Sequence, residues 1–140
     1  MNAKQEYALR MRDTDLQGAM RRLGGDEDLY IDCLRLFLED PTMAQFNEAL
    51  DNRDWDGAFT AAHAMKGLAG NMGFVPLMHS TGQLIIVIRA GRMHEIGDCM
   101  ARVNSSYRDI SDAIRGRFSA EIDDTNKQDE VKGDDYESRE

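Results

Sequence analysis

The chain has 140 residues, a formal net charge of −9 and a hydrophobic fraction of 41%, which suits one domain with a single core. Its longest apolar run, Leu84 to Ile88, is far too short to span a bilayer, and only two cysteines, Cys33 and Cys99, are present, too few for a disulfide framework. Nine acidic and three basic residues in 121–140 put −6 of the −9 there, and the remaining −3 carries no basic patch for nucleic acid.

In chain order, residues 1–12 read as a lead segment with no signal-peptide pattern, which points to a cytoplasmic protein. Asp15 is a candidate N-cap for a short accessory helix that turns Leu16, Ala19, Met20 and Leu23 inward and stops at Gly24-Gly25. A second helix begins near Asp26, with Leu29, Cys33, Leu36 and Phe37 on one apolar side and Ile31, Leu34 and Leu38 on another. Cys33 and Cys99 both fall on such stripes and read as buried thiols in a reducing compartment. Pro41 either kinks this helix or starts its second half, through Met43, Phe46 and Leu50. Asp54 opens the next helix and Gly73 closes it. Pro76 suits the first turn of a helix burying Leu77, Thr81, Leu84 and Ile88 and ending by Gly91. The last helix carries Ile96, Met100, Val103, Tyr107, Ile110, Ile114 and Phe118, spaced by fours and threes. The expected fold is all-α: an antiparallel up-and-down four-helix bundle over 13–120 with a short accessory N-terminal helix. Residues 121–140, with few sizeable apolar groups, read as an acidic disordered tail.

The helix after Asp54 holds the chemistry. At about 100° per residue, Lys66, Gly67 and Gly70 fall within roughly 60° of His63, opposite a core stripe of Ala58, Ala61, Met65, Leu68 and Met72. His63 is therefore expected at the surface as an accessible nucleophile, with the Lys66 ammonium nearby to favour an anionic group such as phosphoryl. Each glycine inside a helix costs about 1 kcal/mol relative to alanine. Access of another protein to the imidazole is the preferred rationale for Gly67 and Gly70, close helix packing the other. Phe59 lies one turn before His63 on the same face as a candidate docking contact, with Asp56 and Thr60 rimming the patch.

Several stretches resemble one known family. His63-x-x-Lys66-Gly67 followed by Gly70 and Gly73 resembles the signature of histidine-containing phosphotransfer (HPt) domains. Arg21-Arg22-Leu23-Gly24-Gly25-Asp26-Glu27-Asp28-Leu29-Tyr30, Leu34 to Glu39 and Asp54-Trp55 sit where that family has similar stretches, over about residues 13 to 118. The resemblance implies a four-helix bundle and a phosphocarrier, not an enzyme. His63 would accept phosphoryl from one receiver-domain aspartate and donate it to another, with Lys66 steadying the charge. Implied partners are response-regulator receiver domains and a hybrid sensor histidine kinase. The chain needs no cofactor, because Mg²⁺ comes with the receiver, and it is read as a freestanding monomer. Some members place a glutamine on the following helix near the phosphohistidine; here Gln83 is available, with Ile85 two positions on, and the sequence leaves open which faces His63.

Two other readings are weaker. A metal-binding bundle would need His63, His79 and His94 to converge, yet no i, i+4 ligand pair or Glu-x-x-His pattern occurs. A helical adaptor that binds a receiver without chemistry would more naturally have lost His63 or Lys66. There is no Gly-x-x-x-x-Gly-Lys loop for ATP, and no Ser or Cys nucleophile paired with His63.

Overall fold

The computed structural model describes residues 1–122; the acidic tail expected for 121–140 lies almost wholly outside the described residues. Those residues form seven α-helices: α1 (Ala3–Met11), α2 (Leu16–Arg22), α3 (Glu27–Glu39), α4 (Thr42–Asp51), α5 (Trp55–Met72), α6 (Val75–Ala90) and α7 (Ile96–Arg117), with a 3₁₀ turn at Met93–Glu95. The fold is all-helical among the described residues, and Thr14 and Phe74 make one isolated β-bridge.

Side chains at the helix ends set these boundaries. Asp15, Asp26 and Asp54 each accept the backbone N–H three residues on, from Gly18, Leu29 and Gly57; such caps are worth about 1 kcal/mol each. Gly73 and Gly91 close α5 and α6 in the left-handed region, with φ of 80° and 70°. At Pro41 the structure decides between the two sequence alternatives. Asp40 is extended and its carboxylate accepts the Thr42 N–H, so Pro41 opens α4 as a separate helix.

Two expectations are corrected. The lead segment 1–12 is largely helix α1, started by a capping box between Asn2 and Gln5. Its buried residues are Gln5, Ala8 and Leu9, and the Gln5 amide donates to the Arg117 carbonyl at 2.9 Å and to Glu121 at 2.7 Å. A short helix that buries a glutamine against residues more than a hundred positions away leaves no apolar stripe to read. On α3, the stripe Leu29–Cys33–Leu36 is not the inner one: Leu29 and Leu36 are 42% and 54% exposed and Cys33 is half-buried. The core side is Tyr30, Leu34 and Phe37. The Tyr30 hydroxyl donates to the Met72 carbonyl at 2.9 Å, and the Phe37 ring packs edge-on to Phe74 at 5.0 Å and tilted to Tyr107 at 5.4 Å. These partners, distant in sequence, choose between two apolar faces of similar strength.

The core is continuous, with Phe37, Phe46, Phe74, Leu84, Val103, Ile114 and Phe118 among its fully buried members. Helix α5 lies between α4 and α6, α6 also packs on α7, and α2 and α3 lie against α5. The buried side of α5 is Ala58, Ala61, Ala62, Met65, Ala69 and Met72, and its four alanines let neighbouring helices come close. Its C-terminal end is fastened three ways. Tyr30 bonds Met72, the Arg22 guanidinium donates to the carbonyls of Gly70 (2.7 Å) and Asn71 (3.1 Å), and the Asp15 amide donates to the Gly73 carbonyl at 2.7 Å. Together they hold the outer face of α5 in a fixed place.

Candidate functional site

That outer face carries His63, exposed in the middle of α5. Among the described residues, neither ring nitrogen has a hydrogen-bond partner, the side chain makes no ion pair, and its one ring contact is Phe59, with centroids 4.6 Å apart and planes at 72°. A solvent-facing imidazole with both nitrogens uncommitted has its lone pair available to an electrophile brought by another molecule.

Beside it, a Cβ built on Gly67 would meet nothing within 4 Å, so the ring is open to approach along that flank. Gly70 differs: a Cβ there would lie 3.3 Å from the Met78 sulfur. Its missing side chain serves the packing of α6 on α5, so the access rationale given for both glycines applies in geometry to Gly67 alone. The Lys66 chain leans across α6, its Cε 3.6 Å from where a Cβ on Gly82 would be. The ammonium makes no ion pair within the described residues and stays exposed.

Phe59 is half-buried against the core, and the Arg89 guanidinium sits over its ring, 5.3 Å from the centroid. The sequence reading missed this arginine. It also missed Gly82 and the exposed Ile86 (51%), which share a face of α6 with Arg89 at i, i+4 and i+7. That spacing is visible in the sequence, but which face meets α5 depends on helix register. The contacts give it: Gly70 meets Met78, Lys66 meets Gly82, and Phe59 meets Arg89. Positions fall along α5 as they rise along α6, so these two helices run in opposite senses and residues 85–86 lie level with His63. Ile85 is buried. Gln83 is exposed but lies about 100° round α6 from Gly82, against about 40° for Ile86. Ile86 therefore lies nearer than Gln83 to the side of α6 that carries Gly82.

On the other flank, Asp56 and Thr60 are exposed and line a groove of about 620 Å³ between α4 and α5, with Glu48 and Asp54. Glu48, Asp54 and Asp56 form no ion pair within the described residues. His63 thus stands between an acidic groove and the cationic pair Lys66 and Arg89. His79 and His94 are exposed elsewhere, on α6 and in the 3₁₀ turn, and no group of three or more His, Cys, Asp or Glu is placed to share a metal ion among the described residues. No described helix is long and apolar enough to cross a membrane.

No curated protein and no solved structure matches the chain. The family model of the Hpt domain matches residues 33–123, which run from the middle of α3 through all of α4 to α7 and contain the whole His63 surface. The match begins later than the sequence resemblance, leaving Arg21 to Tyr30 outside it. With an exposed histidine inside the matched region, the chain belongs to the Hpt domain family, the phosphocarriers that serve two-component phosphorelays together with receiver domains and histidine kinases.

Proposed function

We propose that this protein relays a phosphoryl group between receiver-domain aspartates in a multistep phosphorelay, with His63 as acceptor and donor. The observation that carries the reading is His63 itself: exposed at mid-helix, without a hydrogen-bond partner among the described residues, and flanked by bare backbone at Gly67. In the first step the lone pair of a ring nitrogen, Nε2 in this reading, attacks the phosphorus of an aspartyl phosphate. The N–P bond forms as the P–O bond breaks, and the electron pair of that bond leaves on the aspartate carboxylate. In the second step a carboxylate of another receiver attacks the same phosphorus, and the N–P bonding pair returns to the ring.

Phosphoryl transfer is largely a matter of positioning and charge. The Lys66 ammonium offsets the negative charge of the transferring group, and the receiver supplies the Mg²⁺. Gly67 leaves room for the receiver's loops, while Asp56 and Thr60 rim the docking surface and Phe59 lies at its edge against His63. Gly70 acts through helix packing, and Gln83 stands about 100° round α6 from Gly82. A hybrid sensor histidine kinase is the upstream source, and the protein works as a cytoplasmic monomer. We further infer that α4 to α7 make the antiparallel up-and-down bundle. The opposite senses of α5 and α6 support this, as does the Asn47–Asn104 amide pair at 3.4 Å that joins α4 to α7.

The reading is tested by incubating the purified protein with phosphorylated receiver domains and Mg²⁺, wild type against His63→Gln. Label is expected on the wild type alone, with circular dichroism unchanged in the variant. Receivers that bind but pass no label would instead make the protein an adaptor.

A further inference from the structure

Among the described residues, no hydrogen bond or ion pair orients the His63 imidazole. An exposed side chain on a helix has more than one staggered rotamer open to it, and each points the nucleophilic nitrogen differently. The aromatic ring against the imidazole, among the described residues, is Phe59, one turn earlier, edge-to-face at 4.6 Å and 72°. Phe59 is itself held: its inner side packs on the core, and the Arg89 guanidinium covers its ring from α6 at 5.3 Å. The order Arg89–Phe59–His63 therefore runs from a neighbouring helix to the reactive ring. Aromatic pairs favour this T-shaped arrangement, and a guanidinium favours the face of an aromatic ring.

We propose that Phe59 is a positioning residue for phosphoryl transfer, holding the His63 imidazole in one orientation while Arg89 fixes Phe59 from α6. This rests on the reading of His63 as the phosphoryl acceptor. Phe59 then acts on the rate at which bound receiver transfers phosphoryl, and only weakly on how tightly the receiver binds.

The experiment uses the full chain and a phosphorylated receiver domain that labels the wild type, with single-turnover rate at saturating receiver and receiver affinity measured separately. Phe59→Leu keeps the apolar bulk and removes the ring. It is expected to slow transfer about tenfold with affinity within about twofold, since a small misplacement of a reacting group has effects of that size or larger. The His63 ring proton resonances, shifted in the wild type by the adjacent aromatic ring, are expected to move to positions typical of an isolated surface histidine. Phe59→Tyr is expected to restore both rate and shifts. Arg89→Ala is expected to slow transfer in the wild type and to add nothing in the Phe59→Leu background, because it acts through that ring. A normal rate in Phe59→Leu, or a loss confined to affinity, overturns the proposal and makes Phe59 a packing or docking residue. An additive loss in the double variant overturns the role given to Arg89. If wild-type His63 takes no label from any receiver, the functional reading fails first; label on His63 with an unaltered Phe59→Leu rate defeats the positioning role alone.

Discussion

Gly73 and Asp15 meet backbone to backbone: the Asp15 amide donates to the Gly73 carbonyl at 2.7 Å, and a Cβ on Gly73 would overlap the Asp15 carbonyl oxygen. Gly73 also needs a φ of 80°, where side chains are strained. Gly73→Ala therefore meets both a strained backbone and a steric clash, and should lower stability by about 2–4 kcal/mol, read as a shift of the urea midpoint. A loss below about 1 kcal/mol would mean that the α5–α6 turn relaxes easily.

Tyr30 bonds the Met72 carbonyl from within the core. Tyr30→Phe leaves that carbonyl short of a buried partner and should destabilise by about 1–3 kcal/mol. Burial pushes the Tyr30 phenol above its ordinary range. The folded state therefore holds this proton more tightly than the unfolded state. Its contribution is fully present below the unfolded pKa of about 10 and is lost as pH rises beyond that value. Comparing stability against pH for wild type and Tyr30→Phe should show a smaller alkaline fall in the variant. Parallel curves would contradict this.

These anchors also mark how far the sequence could be read. The caps Asp15, Asp26 and Asp54, the stops Gly73 and Gly91, and the exposure of His63 follow from local rules, because each depends on residues within a turn or two. What was missed depends on distant partners. Gln5 is buried because Arg117 and Glu121 receive its amide. Tyr30 rather than Leu29 turns inward because Met72 and the neighbouring aromatic cluster lie there. Arg89 and Ile86 reach the His63 surface only through the register of α6 on α5, and the same register puts Met78 against Gly70.

The Lys66 chain runs beside Gly82 on α6 and its ammonium stays exposed. Lys66→Ala should leave the thermal midpoint nearly unchanged and slow phosphoryl transfer about tenfold or more, as loss of one charge-stabilising group does. An unchanged single-turnover rate would remove the role assigned to it.

Gly67 faces open space, so a longer residue there fits the fold and improves helix propensity by as much as about 1 kcal/mol. Gly67→Gln should keep or raise stability while sharply weakening transfer from a receiver. Normal transfer in this variant would defeat the argument that bare backbone beside His63 admits the partner.

The most direct measurement is to map the label. All three histidines, His63, His79 and His94, are exposed, so exposure alone does not choose among them. After transfer from a phosphorylated receiver, the account predicts an acid-labile, base-stable phosphoryl group, at most one per chain, located by tandem mass spectrometry on His63. Label on His79 or His94, or label that persists in His63→Gln, would contradict it.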